Sequence, residues 1–245
     1  MASYLARFKS AITSWWKPLT GLIAILLLAG CGATSASRGN TAEVDTALSN
    51  IPIYAVIKEQ DPAVYNRLVD VVASLNTDKS NYGELVQATA TELYAFVEPR
   101  LSHASDDSII EYMTIQVEKM DILKALGGGQ CYQFLALDPN GPVVDISAFP
   151  RDLIERDMDT LEEIIVTSTT KQPIPSMESV VPNIERVFYV LGAKYGDGID
   201  MLDNMALASQ NKEVYCDIII DLYDEILTLP KDEAVATLRW MLAEE

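Results

Sequence analysis

From Ile51 almost to the end of the chain, apolar side chains recur every three or four residues, and that spacing builds helices. Val64, Leu68, Val71 and Leu75 form one stripe behind Asp61-Pro62, a cap followed by a first-turn proline. Leu85, Ala88, Leu93, Phe96 and Val97 form a second, which opens after Ser80-Asn81 and ends near Pro99. A third starts at Ser105-Asp106-Asp107, where acids suit the positive end of the helix dipole, and carries Ile109, Met113, Val117, Met120 and Leu123. Gly127-Gly128-Gly129 stops it, as a left-handed C-cap requires. After a short apolar piece at 130–137 and a turn-rich loop at 138–142, helical spacing returns at 151–169, from Ser176, at 212–229 and beyond Pro230. Pro182 falls inside one of these patterns, where a kink is expected. Residues 143–149 read as a short strand with no partner strand. The expected fold class is all-α: an irregular bundle of about seven or eight helices over a single acidic domain at 51–245. Helix-pair lengths also permit a solenoid-like stack, although there is no tandem repeat.

Composition decides which partners such a domain can take. Of 245 residues, 49% are hydrophobic and 22% charged, enough for a sizeable core. Acids outnumber bases 36 to 18, for a net charge of −18. Three of those bases (Arg7, Lys9, Lys17) lie in a first thirty residues that hold no acid. The rest of the chain therefore has 15 bases against 36 acids, a net charge of −21. A body this acidic repels phosphate backbones and anionic lipid surfaces, so no nucleic-acid partner is expected.

The N-terminus is organised differently. Residues 1–20 are basic, 21–29 (GLIAILLLA) are an unbroken apolar run, and Leu28-Ala29-Gly30-Cys31 follows. A basic region, a short apolar region and small residues at the junction make a secretory signal. About 20 apolar residues are needed to span a bilayer, so the run is too short. Leu28-Ala29-Gly30-Cys31 closely resembles the lipobox of bacterial lipoprotein precursors, a likeness that covers about an eighth of the chain once the signal is included. The resemblance implies that residues 1–30 are a signal peptide removed by signal peptidase II. It also implies that the Cys31 thiol receives a diacylglyceryl group and that Cys31 becomes the acylated first residue. Two or three acyl chains hold a soluble domain at a membrane without a spanning helix, each buried methylene contributing about 0.8 kcal/mol. Gly32 rather than Asp after the cysteine implies sorting to the outer membrane, facing the periplasm. Residues 31–50, small and polar, are expected to be a lipidated flexible tether.

Cys131 and Cys216 remain after Cys31 is lipidated. An even pair of thiols in an oxidising compartment is expected to be bridged, and both lie on the apolar side of helical segments. Cys131 behind three glycines also invites a nucleophile reading, but the only imidazole is His103, and no cysteine-hydrolase pattern matches their spacing. His103 lies at a helix junction, where it complements a C-terminal dipole. One histidine cannot supply the usual zinc or di-iron ligand sets, and no Cys-x-x-Cys-His exists for haem. The segment Gly196-Asp197-Gly198-Ile199-Asp200-Met201-Leu202-Asp203-Asn204 is oxygen-rich but lacks the alternation and distal glutamate of an EF-hand, so a turn before a capped helix explains it. Asp157-Met158-Asp159-Thr160-Leu161-Glu162-Glu163 is read as a solvated acidic face rather than a glycosidase carboxylate pair. Tyr54, Tyr65, Tyr94, Tyr112, Tyr132, Tyr189, Tyr195, Tyr215 and Tyr223 are expected mostly at the core's edge with wet hydroxyls.

No phosphate-cradling glycine loop, Gly-x-Ser-x-Gly elbow or Ser-x-x-Lys motif is present, and no cofactor or metal is expected. The functional expectation is a membrane-anchored cell-envelope lipoprotein whose helical domain binds or assembles with an envelope protein or glycan. Two alternatives stay open: a carboxylate-dependent envelope hydrolase, and a periplasmic small-ligand carrier. Facing carboxylates across a concave pocket would mark the first, and an enclosed apolar cavity the second.

Overall fold

The computed structural model describes residues 41–74, 82–136 and 144–243. The expected signal peptide, Cys31, residues 31–40 of the tether, the helix start at Ser80-Asn81 and the loop at 138–142 lie outside the described residues. Within those residues the fold is all-α. It comprises α1 (Thr41–Ser49), α2 (Pro52–Gln60), α3 (Pro62–Ser74), α4 (Tyr82–Leu101), α5 (Asp106–Leu126), α6 (Gln130–Ala136), α7 (Arg151–Thr167), α8 (Met177–Tyr195), α9 (Met205–Gln210), α10 (Lys212–Leu227) and α11 (Lys231–Leu242). Eleven helices exceed the expected seven or eight because α1, α2 and α9 run only nine, nine and six residues. Stretches that short fall below the window in which helical periodicity shows.

Local chemistry sets the boundaries. Asp61 Oδ1 accepts from the backbone N–H groups of Ala63 and Val64 at 3.1 Å each, which caps α3 behind Pro62. Ser105 Oγ accepts from Ser108 N at 3.1 Å to cap α5, with Asp106 and Asp107 in its first turn. α8 continues across Pro182. The residues read as a strand instead form a 3-10 turn at Ile146–Ala148, because Asp145 Oδ1 accepts from Ser147 N and winds the chain locally. Residues 41–49 of the segment expected to be a flexible tether form α1, which buries Leu48 completely, and Asp45 pairs with Lys58 at 2.7 Å. The Tyr65 hydroxyl also donates to the Asp45 carbonyl at 3.0 Å, so α1 is held from two sides.

α5 is the axis of the fold. It packs against α6, α7, α10 and α11, and α2 reaches forward in the chain to pack on α7. In a solenoid each unit touches only its sequence neighbours, so the arrangement is a bundle around a central helix. α5 accordingly buries Ile109, Tyr112, Ile115, Gln116, Lys119 and Leu123, while Glu111, Glu118 and Asp121 keep contact with solvent. Polar links tie the outer helices to it. Arg156 of α7 bridges Glu111 and Glu118 of α5 at 2.7 and 2.9 Å. Arg239 of α11 donates to the Ser102 carbonyl at 2.6 Å and to Asp106 at 2.7 Å.

The turn between α5 and α6 depends on glycine. Gly127, Gly128 and Gly129 have φ of 69°, 63° and 74°. Space is not the constraint at Gly128, since an added Cβ would meet nothing within 4 Å. Gly128→Ala should therefore cost about 1–2 kcal/mol through backbone strain alone. At Gly192, inside α8 and equally uncrowded, alanine should stabilise by about 0.5–1 kcal/mol. Urea unfolding followed by circular dichroism measures both, and equal shifts of the same sign would refute the backbone account.

Candidate functional site

Two polar features of the folded domain were hidden in the sequence. The first is an ion pair in the core. Asp157, which the sequence places on a solvated acidic face, is 1% exposed and lies 2.6 Å from the Nζ of Lys119, also 1% exposed. α7 turns Asp157 inward with Leu153, Met158 and Leu161, so only the remainder of its acidic run meets water. Gln116 supports the pair, its Nε2 donating to the same carboxylate oxygen at 3.4 Å. Burial lowers the Lys119 pKa, and Asp157 opposes that shift. The Tyr112 phenol is pushed well above its ordinary value, chiefly by burial and then by the Asp157 charge. These groups lie on the central helix and its neighbour, and no cavity described below touches them.

The second feature is a cavity of about 420 Å³ where three helices end. Gln60 comes from the last turn of α2, Pro99 and Arg100 from the end of α4, and His103 from the turn after it. Ser168, Thr169 and Lys171 come from the segment that follows α7. Backbone carbonyls hold three of these side chains in place. Arg100 Nη1 donates to the Phe96 carbonyl at 2.5 Å, with its guanidinium 3.6 Å from the Phe96 ring centroid. Gln60 Nε2 donates to the Ile165 carbonyl at 3.3 Å. His103 Nδ1 lies 3.0 Å from the Gln172 carbonyl; a carbonyl only accepts, so Nδ1 carries the proton and Nε2 is the unused nitrogen. Basic side chains at helix C-termini also complement the dipoles there.

The cavity stands out electrostatically. Of the thirteen basic residues in the described segments, ten are paired with a carboxylate within 4 Å. Arg100, Lys171 and Lys212 make no such pair among the described residues, and two of these three line this one cavity beside the chain's only histidine. Burial pushes the Arg100 pKa down, and the Asp61 charge pushes it back up. Arg100 and Lys171 were not singled out by motif, yet a signal existed: neither has an acid three or four residues away.

The other sequence candidates are accounted for individually. Cys131 of α6 and Cys216 of α10 are joined in a disulfide, with Cα atoms 6.1 Å apart, so Cys131 has no thiol to act as a nucleophile. The rings of the adjacent Tyr132 and Tyr215 meet edge to face at 5.7 Å. The oxygen-rich segment winds as a 3-10 helix at Gly196–Leu202, after which Asn204 caps α9 by accepting from Leu207 N at 3.1 Å. Among the described residues, no group of three or more histidine, cysteine or acidic side chains is placed to hold a metal. Tyr54, Tyr65, Tyr112, Tyr132, Tyr215 and Tyr223 are buried within the core rather than placed at its edge, because the helices that carry them pack on more than one side. Tyr195 does lie at the edge, half-buried with its hydroxyl donating to Asp221 at 2.7 Å, Tyr189 is 80% exposed, and the Tyr94 side chain lies outside the described residues. No described helix is long and apolar enough to cross a membrane. No family model, curated protein or solved structure matches the chain.

Proposed function

We propose that this protein is a lipid-anchored protein of the bacterial cell envelope, with its acidic helical domain serving as a binding or assembly module rather than a catalyst. The anchor rests on Leu28-Ala29-Gly30-Cys31 behind its basic and apolar segments. The disulfide between Cys131 and Cys216 fits export to an oxidising compartment. The observation that carries the binding half is the lining of the 420 Å³ cavity, which offers amide, hydroxyl, imidazole and cationic groups and includes no carboxylate. A hydrolase working through two carboxylates needs both to face such a pocket. A carrier of apolar ligands needs an enclosed apolar space. The gap among Ile184, Val187, Phe188 and Leu222 is apolar but has no room even for a water molecule.

Replacing Cys31 with serine tests the anchor, because serine has no thiol for diacylglyceryl transfer. The expected result is unprocessed precursor without radiolabel after growth on labelled palmitate. Normal maturation and labelling of Cys31→Ser would end the lipoprotein reading. Separation of membranes by density should place the wild-type chain in the outer fraction, and recovery in the inner fraction would defeat the Gly32 assignment.

A further inference from the structure

In a chain with twice as many acids as bases, a base without a carboxylate within 4 Å is the exception among the described residues, and here two such bases line one cavity with the single histidine. Arg100, His103 and Lys171 come from different parts of the fold, α4, the turn beyond it and the segment after α7, so no local capping need explains all three. The Asp61 charge acts on Arg100 without forming an ion pair with it, and the Asp61 Oδ1 already serves the N-terminus of α3. Carbonyls of Phe96 and Gln172 steady the guanidinium and the imidazole, each through one nitrogen. The guanidinium keeps further N–H groups beyond that bond, the Lys171 ammonium has three donors, and the imidazole Nε2 is left to accept from a phosphate P–OH. Ser168, Thr169 and Gln60 add neutral polar groups to the same wall.

We propose that this cavity binds a small organic phosphate ester, with the phosphate seated among Arg100, His103 and Lys171. The inference rests on the binding-module reading above and names its ligand class. Two cationic side chains beside an imidazole suit a dianion better than a single carboxylate, and the guanidinium fork matches phosphate oxygens. A volume of about 420 Å³ exceeds what a bare oxyanion fills and falls in the range of small-molecule sites, which leaves room for the esterified group. The net charge of −21 beyond residue 30 opposes docking on an anionic membrane, so the ligand is a free ester rather than a lipid headgroup. The same long-range field slows encounter, and salt should therefore speed association.

Because His103 is the only histidine, its imidazole signals in the NMR spectrum of the full chain in neutral detergent report on the cavity directly. Titration with sn-glycerol 3-phosphate should shift them saturably, with half-saturation below about 1 mM. Arg100→Gln and Lys171→Gln should each weaken binding about tenfold or more, the loss of one charge-assisted hydrogen bond. Lys212→Gln makes the same charge change outside the cavity, at the remaining described base with no carboxylate within 4 Å, and should leave binding unaltered. Arg100→Lys keeps the charge without the fork and should fall between; its urea midpoint shows whether the fold is intact. The proposal fails if the shift does not saturate by about 10 mM, or if Lys212→Gln weakens binding as much as Arg100→Gln. It also fails if succinate binds as tightly as the phosphate ester. Release of inorganic phosphate during the titration, seen by phosphorus NMR, would uphold the site and overturn the non-catalytic reading. The titration does not depend on lipidation, so its failure is separable from failure of the anchor.

Discussion

Lys119→Met should destabilise the folded chain by about 3–5 kcal/mol, because it leaves the Asp157 carboxylate buried without its cation. Both side chains are 1% exposed, so water cannot enter to solvate what remains. The Gln116 amide stays within 3.4 Å of the carboxylate, but a neutral donor replaces only part of an ammonium. Folding free energies of domains are about 5–15 kcal/mol, so the loss takes a large share of the whole. Asp157→Leu should cost a similar amount by stranding Lys119. Joining the two as Lys119→Met with Asp157→Leu should recover most of the loss, since apolar replacement of both partners in a buried pair is often neutral. Urea denaturation of the four proteins completes the cycle. Single-variant costs below about 1 kcal/mol would mean that the pair is not buried as described.

Cys131→Ala should lower the melting temperature by roughly 10 °C. The bridge closes a loop of 85 residues, and restricting a denatured chain of that length is worth roughly 4 kcal/mol in the chain-entropy account. Each kcal/mol moves the midpoint of a domain this size by about 2–4 °C. The bridge ties α6, which follows three left-handed glycines, to α10, which packs against it. Scanning calorimetry of the wild type with and without reductant should reproduce the shift, and reductant should not move the variant. Alkylation of the unfolded, unreduced protein is the sharper check. Two labelled thiols at Cys131 and Cys216 would show that they are not joined, and no label until reduction would show that they are.

Much of the candidate site was illegible for a definite reason. His103 meets the Gln172 carbonyl across 69 residues of chain, and Gln60 meets that of Ile165 across 105. A motif search reads neighbours in sequence, whereas this cavity forms where three helices happen to end together. Asp157 was misplaced for a related reason: in a run of acids, nothing local distinguishes the one that a packed helix turns inward. What local sequence does carry is strong. Stripes of apolar residues at helical spacing, Ser105 and Asp61 at helix starts and the glycines at 127–129 each act within one turn, and each lies where the expected helices begin or end. The pairing of Cys131 with Cys216 was legible too, since only two cysteines remain beyond Cys31.

The sequence by itself therefore determined that the chain is helical, where most of its helices start and stop, and which two cysteines pair. Those properties follow from interactions between residues a few positions apart, or from counting. Only the tertiary structure decided that α5 is central, that Lys119 and Asp157 share a buried pair, and that Arg100, His103 and Lys171 surround one cavity. Burial and convergence are set by which helix faces pack together, and that choice depends on shape and volume summed over the whole core.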